Sequence, residues 1–142
     1  MAVDNSNPGD TVWILPGTYN EEIEITKSIT IKSFSENPTD TIIEGNGDAV
    51  FSVEADNVQI SGLTISSGEF GILQKEANYC VYSNNIITYN SYGLKIEGDL
   101  LTTLNHNKID NNTIHHNFQD GIFLYYSSGN TILGNEIHSN YN

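Results

Sequence analysis

Short apolar runs separated by turn residues recur along the whole chain. Segments such as NVQISGLTI, GILQ, GLKI and GIFL are rich in β-branched residues and alternate apolar and polar positions with a period of two. Gly, Asn, Ser and Asp interrupt these runs every few residues, and no segment keeps the i, i+3, i+4, i+7 spacing of an amphipathic helix. The pattern predicts an all-β protein built from short strands.

Four segments repeat this pattern in phase: ISGLTISSGEFGIL, YSNNIITYNSYGLKI, IDNNTIHHNFQDGIFL and ILGNEIHSNYN. Their central isoleucines, Ile65, Ile87, Ile114 and Ile137, fall 22, 27 and 23 residues apart. Leucine-rich repeats need a dense leucine template, left-handed β-helices repeat in hexapeptides, and a β-sandwich lacks such a recurrence. The sequence therefore predicts a right-handed, single-stranded parallel β-helix with three short strands per coil of about 22 residues.

The repeat phase also assigns the chain to coils. We expect one domain over residues 1–142, with leading strands and a cap in 1–28 and stacked coils in 29–142. SITIKS, DTIIEG and AVFSV are predicted to form the three faces of the first full coil. The later coils are expected to place 58–60, Tyr82, Ile109 and Ile132 on one face, 63–65, Ile87, Ile114 and Ile137 on the second, and Ile72, 94–96 and 122–124 on the third.

Asparagines recur at two turn positions of the repeat, one holding Asn85, Asn112 and Asn135 and the other Asn90, Asn117 and Asn140. Asn tolerates left-handed backbone geometry, and its amide can bond the same amide in the next coil. We therefore predict inward asparagine ladders. The triplet starting at Asn111 also matches an N-glycosylation sequon, but we place it at an inward ladder position, where modification is difficult.

The charge balance excludes some classes of partner. The chain carries a net charge of −13, with five lysines and no arginine. Such a surface repels phosphate backbones and anionic lipids, so nucleic-acid binding is not expected, and acidic glycans would need a bridging cation. No apolar run reaches the ~18 residues of a membrane span, and no segment resembles a signal peptide. Membrane insertion is therefore not expected.

The stretch GDTVWILPGTYNEEIEITKSITIKS, followed by TIIEGNG and ADNVQISGLTI, resembles the right-handed β-helix domains of archaeal and bacterial surface proteins. These form the NosD-like or carbohydrate-binding-and-hydrolase group, with a pectin-lyase-like fold. The resemblance runs from Gly9 to the end of the chain and implies an extracellular, cell-surface module taken from a longer protein. It implies no single activity, because such domains occur in lyases, epimerases, adhesins and surface-layer proteins.

Aromatic residues on the third face are the candidate glycan-binding residues: Phe70, Tyr92, Phe118 (or its neighbour Gln119), Tyr125 and Tyr126. An exposed aromatic file can stack on the apolar C–H faces of sugar rings. The alternative is that these rings only cover the junctions between coils.

A metal site is a second candidate. His115 and His138 share a repeat position and should stack as an exposed pair, because neighbouring coils lie ~4.8 Å apart. With Asp99 and Asp120 they are the candidate metal ligands. Calcium is a further possible ion, because Glu69, Glu97, Asp99 and Asp120 are predicted to flank one bend. A polar outer column is the simpler interpretation of the histidines.

The sequence shows no recognisable catalytic site. The polysaccharide lyases that resemble this fold generally use an arginine, which this chain lacks, and Asp99, Asp110 and Asp120 do not share a column as a hydrolase pair would. The sequence favours a non-catalytic extracellular module that requires no cofactor and acts as a scaffold or a polysaccharide-binding surface. A fragment of a carbohydrate-active enzyme (lyase, epimerase or hydrolase) and a metal-binding NosD-like accessory domain stay open as alternatives. An uncapped last coil also predicts end-to-end homo-oligomers.

Overall fold

The computed structural model describes residues 2–101 and 103–142, and every helix-or-strand element in these ranges is a β-strand. The first coil contains β1 (Thr11–Ile14), β2 (Gly17–Asn20) and β3 (Ile23–Ile25), and the second contains β4 (Thr30–Ser33), β5 (Thr41–Glu44) and β6 (Ala49–Val53). The third contains β7 (Gln59–Ser61), β8 (Thr64–Ser66) and β9 (Phe70–Lys75), and the fourth β10 (Val81–Ser83), β11 (Ile86–Thr88) and β12 (Tyr92–Glu97). After β13 (Leu104–Asn105), the fifth coil contains β14 (Lys108–Asp110), β15 (Thr113–His115) and β16 (Ile122–Tyr125). After β17 (Ser127–Ser128), the sixth contains β18 (Thr131–Leu133) and β19 (Glu136–His138).

The strands stack into three long parallel sheets. Sheet A has the order β1-β4-β7-β10-β14-β18, sheet B the order β2-β5-β8-β11-β15-β19, and sheet C the order β3-β6-β9-β12-β16. A fourth, two-stranded sheet joins β13 to β17. Each of the first five coils thus contributes one strand to each long sheet, and the sixth contributes β18 to sheet A and β19 to sheet B. This confirms the predicted parallel β-helix with three strands per coil.

The register confirms the predicted core columns. Ile43, Ile65, Ile87, Ile114 and Ile137 are successive partners in sheet B. In sheet A the inward column runs through Ile31, Ile60, Tyr82, Ile109 and Ile132. These side chains are buried except in the sixth coil, where Ile132 and Ile137 are each 47% exposed because no described coil lies beyond them.

The first full coil begins earlier than the sequence indicated. Residues 11–25 supply β1, β2 and β3, which pair with β4, β5 and β6 in the three sheets. SITIKS, DTIIEG and AVFSV therefore belong to the second coil. β1 and β2 alternate half-buried and exposed residues, so they bury less of their inner face than the strands of the later coils. Val3 packs against the core beneath this first coil.

From β10 onwards, most corners of the coils have a residue with positive φ followed by an inward asparagine. Asn84 and Asn111 have φ of 55° and 54°, and the next residues, Asn85 and Asn112, are buried. Asn112 Oδ1 accepts hydrogen bonds from the backbone N–H (3.0 Å) and the side-chain amide (3.1 Å) of Asn85. Asn112 Nδ2 in turn donates to Tyr82 O (2.9 Å) and to Asn135 Oδ1 (3.0 Å).

The second bend has an equivalent ladder through Asn90, Asn117 and Asn140. A third corner, before sheet A, has a shorter one that the sequence analysis missed. There Asn107 donates to Asn130 Oδ1, and Asn107 Oδ1 accepts the Cys80 backbone N–H (2.9 Å). The two asparagines of this third ladder stand in NHNK and SGNT, where each follows a residue with positive φ. At all three corners the ladder asparagines accept hydrogen bonds from backbone N–H groups.

The core also contains a polar network. Gln74 lies between Val53 and Ile96 in the register of sheet C and is fully buried. Its amide accepts from the Tyr82 hydroxyl (2.7 Å) and donates to Ala77 O (2.6 Å) and Asn107 Oδ1 (3.0 Å). Burial raises the pKa of Tyr82 well above its usual value, so the phenol stays neutral and remains a donor.

Candidate functional site

The outer face of sheet C carries an aromatic cluster. Phe70 and Tyr92 are register partners in β9 and β12, and their rings stack with centroids 5.4 Å apart and planes 15° apart. Phe123 of β16 meets Tyr92 edge-on at 6.2 Å. Phe123 was not among the predicted residues, although the alternation in GIFLYY sends Ile122 inward and Phe123 outward.

Lys95 occupies the centre of this cluster. Its Nζ lies 5.3 Å from the ring of Phe70, 5.9 Å from that of Tyr92 and 5.6 Å from that of Phe123. The ammonium also pairs with Glu97 at 3.1 Å, and the lysine side chain is only 17% exposed. The rings therefore surround a cation, and much of their area is already covered by protein.

Phe118 lies outside this cluster. Leu94 pairs with Ile122, so the same register places Asp120, and not Phe118 or Gln119, beside Tyr92. Three residues separate Asn117 from Gly121, whereas two separate Asn90 from Gly93. The additional residue moves Phe118 out to the bend between sheets B and C, where it is 69% exposed beside Tyr89 and Glu69.

An open cleft of about 790 Å³ lies at the end of the strands of sheet C. Tyr125 and Tyr126 line one side of it, with ring centroids 4.5 Å apart and planes 73° apart. The other lining residues come from neighbouring coils and from the loop after β12: Lys75, Glu76, Glu97, Gly98, Asp99, Leu100 and Leu101. Lys75, Glu97 and Tyr125 are successive register partners, so the cleft spans three coils.

The cleft combines apolar planes with groups that bond hydroxyls. Tyr125 and Tyr126 are 48% and 39% exposed. A hydrogen bond with Tyr125 raises the pKa of Tyr126, so that phenol is neutral at physiological pH. One lysine faces three carboxylates around the cleft, which makes it acidic overall. Such a site suits an uncharged polyhydroxyl ligand better than an anionic one.

The histidines form a separate group on the outside of sheet B. His115 and His138 are register partners whose rings stack 5.2 Å apart and 4° from parallel. His115 Nδ1 lies 2.6 Å from His116 Nδ1 and 3.2 Å from Thr88 Oγ1. Desolvation by burial, followed by the charges of His116 and His138, lowers the pKa of His115.

The structure does not bring the four predicted metal ligands together. Asp99 lies in the cleft loop, where its Oδ1 accepts the Leu101 N–H at 2.7 Å, and Asp120 begins the bend before β16. In residues 2–101 and 103–142, no group of three or more His, Cys, Asp or Glu side chains is arranged to hold a metal ion.

Comparison with known families and proteins agrees with this architecture. Residues 18–142 match the model of the family described as the right handed beta helix region, so the chain belongs to the right-handed β-helix family. It is also similar to a cell surface glycoprotein of Methanothermus fervidus, with 31% identity over 88 residues. The match covers 61% of this chain and 14% of the glycoprotein, so it spans a small part of that relative's length. No solved structure matches the chain.

The described residues contain no helix of sufficient length and apolar character to cross a membrane.

Proposed function

We propose that the protein is a non-catalytic module of the cell surface that binds a neutral glycan in the cleft beside Tyr125 and Tyr126. The cleft itself carries the proposal, because two half-exposed tyrosine rings stand next to carboxylate and ammonium groups across three coils. Similarity to a cell surface glycoprotein supports the location. The rings at Phe70 and Tyr92 act as a support for the cleft, since Lys95 already lies against them.

The geometry favours a chain of sugars over a single sugar. Successive coils place Lys75, Glu97 and Tyr125 at intervals of about 4.8 Å, so each coil offers the cleft one hydrogen-bonding side chain along the axis of the β-helix. A sugar stacked on Tyr125 would have hydroxyl partners in the two preceding coils. Acidic glycans are disfavoured by the carboxylates of Glu76, Glu97 and Asp99.

Binding of the purified protein to an array of neutral and acidic polysaccharides tests the proposal, followed by calorimetry on the glycans that bind. The measurements are made with calcium and with a chelator, because calcium binding also stays a prediction and two of its four predicted ligands, Glu97 and Asp99, line the cleft. Tyr125→Ala should weaken binding about tenfold, equivalent to about 1.4 kcal/mol. Phe118→Ala is the matched control, since it removes an exposed ring outside the cleft.

Three results would contradict the proposal: no binding to any neutral glycan, equal loss of binding in Phe118→Ala, or release of a cleaved product. The last result would favour the alternative of a carbohydrate-active enzyme.

A further inference from the structure

The sequon Asn111-Asn112-Thr113 lies at the corner between β14 and β15, and its two asparagines face opposite ways. An inward position was predicted for this sequon, and the structure corrects that prediction. Asn112 is the buried ladder residue, whereas Asn111 is the exposed, left-handed residue before it. The acceptor of the sequon is therefore on the surface.

The two amides also differ in their hydrogen bonds. Asn112 Nδ2 is committed to Tyr82 O and Asn135 Oδ1. Across the described residues, no hydrogen bond involves the side chain of Asn111, although its backbone N–H donates to Leu133 O at 3.0 Å. A substituent on Asn111 Nδ2 would thus break no contact that holds the coil together.

The next coil leaves space at this corner. Gly134 follows Asn111 in the column of left-handed residues, with φ of 67°, and a Cβ built on it would collide with Asn111 Oδ1. The absence of a side chain at Gly134 lets the Asn111 side chain lie over it. In the preceding coil the corresponding residue is Asn84, and the residue that follows it in the column is Asn111, which has a side chain where Gly134 has none.

We propose that Asn111 carries an N-linked glycan, an inference that rests on the cell-surface location proposed above. The co-reactant is an oligosaccharide linked through phosphate to a lipid, delivered by an oligosaccharyltransferase. A bond forms between Asn111 Nδ2 and C1 of the first sugar, and the bond between C1 and the lipid phosphate oxygen breaks. Nδ2 loses one proton, the lipid phosphate leaves with the bonding electron pair, and no group is oxidised or reduced.

The modification precedes folding of the fifth coil. In the folded protein the Thr113 N–H donates to Asn85 O at 2.9 Å and Asn112 is held in the ladder, so the sequon cannot extend into a transferase site. Attachment to the unfolded segment, followed by docking of the coil, leaves the glycan on the outer corner. The finished glycan would border the groove of about 830 Å³ that runs along sheet A from Asn111 and Thr113 to Trp13.

Secretion of the full chain from a host with N-glycosylation, followed by mass spectrometry of the peptide containing Asn111, tests the proposal. A C-terminal tail with an added Asn-Gly-Thr sequon reports that the host modifies this chain. Wild type should show a glycan mass on Asn111 that disappears in Asn111→Gln and in Thr113→Ala.

Occupancy of the tail with no modification of Asn111 would overturn the proposal. The result is independent of the proposed glycan-binding function, because binding in the cleft is measured on protein made without glycosylation. Either proposal can therefore fail while the other stands.

Discussion

Replacing Asn112 by leucine should destabilise the protein although both side chains have similar size and the site is buried. Leu63 occupies the same corner one ladder step before Asn85, so the position accepts leucine sterically. In the variant, the backbone N–H of Asn85 and one hydrogen of its side-chain amide lose their acceptor, Asn112 Oδ1. The Tyr82 carbonyl loses a donor.

The size of the destabilisation follows from the three polar groups that lose a hydrogen-bond partner. A buried polar group left without its partner costs about 1–3 kcal/mol, so three of them cost about 3–6 kcal/mol when the lower part of that range applies. Burial of the leucine side chain stabilises the variant by about 1.5–3 kcal/mol. The middle of these two ranges gives an expected net loss of about 2 kcal/mol, which lowers the melting temperature of a chain of this length by about 6–8 °C.

Thermal and urea unfolding followed by far-UV circular dichroism measure this loss, and the fluorescence of the single tryptophan, Trp13, separately reports the first coil. Asn111→Gly is the matched control: it alters the adjacent, exposed residue, and glycine already occupies the same column at Gly62 and Gly134. The free energy of unfolding of the control should lie within about 0.5 kcal/mol of the wild-type value. Equal stability of Asn112→Leu and Asn111→Gly would refute the view that the ladder bonds stabilise the corner.

Three further predictions address the core, the histidines and the last coil. Ile87→Asp should abolish the cooperative far-UV transition, because it places an unpaired charge in a fully buried column, and wild-type melting would disprove the register. The lowered pKa of His115 means that the unfolded chain binds more protons, so stability should fall as pH decreases from about 6.5 through the folded pKa. His115→Asn should reduce the dependence of stability on pH, and an unchanged pH dependence would exclude His115 as its source. The exposed edges of β18 and β19 and the half-exposed Ile132 and Ile137 should promote end-to-end association of this chain, more strongly as salt screens the net charge of −13. Sedimentation velocity would contradict this with a strict monomer at every protein and salt concentration.

The fold and its core columns could be read from the sequence because both depend on local periods. The period of two along each strand decides which side chains face inward, and the repeat of 22 to 27 residues decides which side chain stacks on which. Tyr82, an aromatic residue with a polar end, was correctly placed in the column with Ile60 and Ile109 for this reason. Asparagine columns were visible for the same reason.

The candidate site depended on insertions and long side chains, which the repeat does not encode. One additional residue before Gly121 moved Phe118 out of the aromatic file, and the loop after β12 built the cleft beside Tyr125. Lys95 reaches three rings because its flexible side chain crosses from its own strand to the neighbouring coils.

The sequence by itself determined a right-handed β-helix and its acidic surface, because alternation and charge are properties of each residue and its neighbours. Only the tertiary structure decided that Asn111 faces solvent beside the inward Asn112, and that Gln74 can be buried. These outcomes depend on partners about one coil away or further along the chain, such as Asn135 and Asn107, whose positions exist only after the coils have stacked.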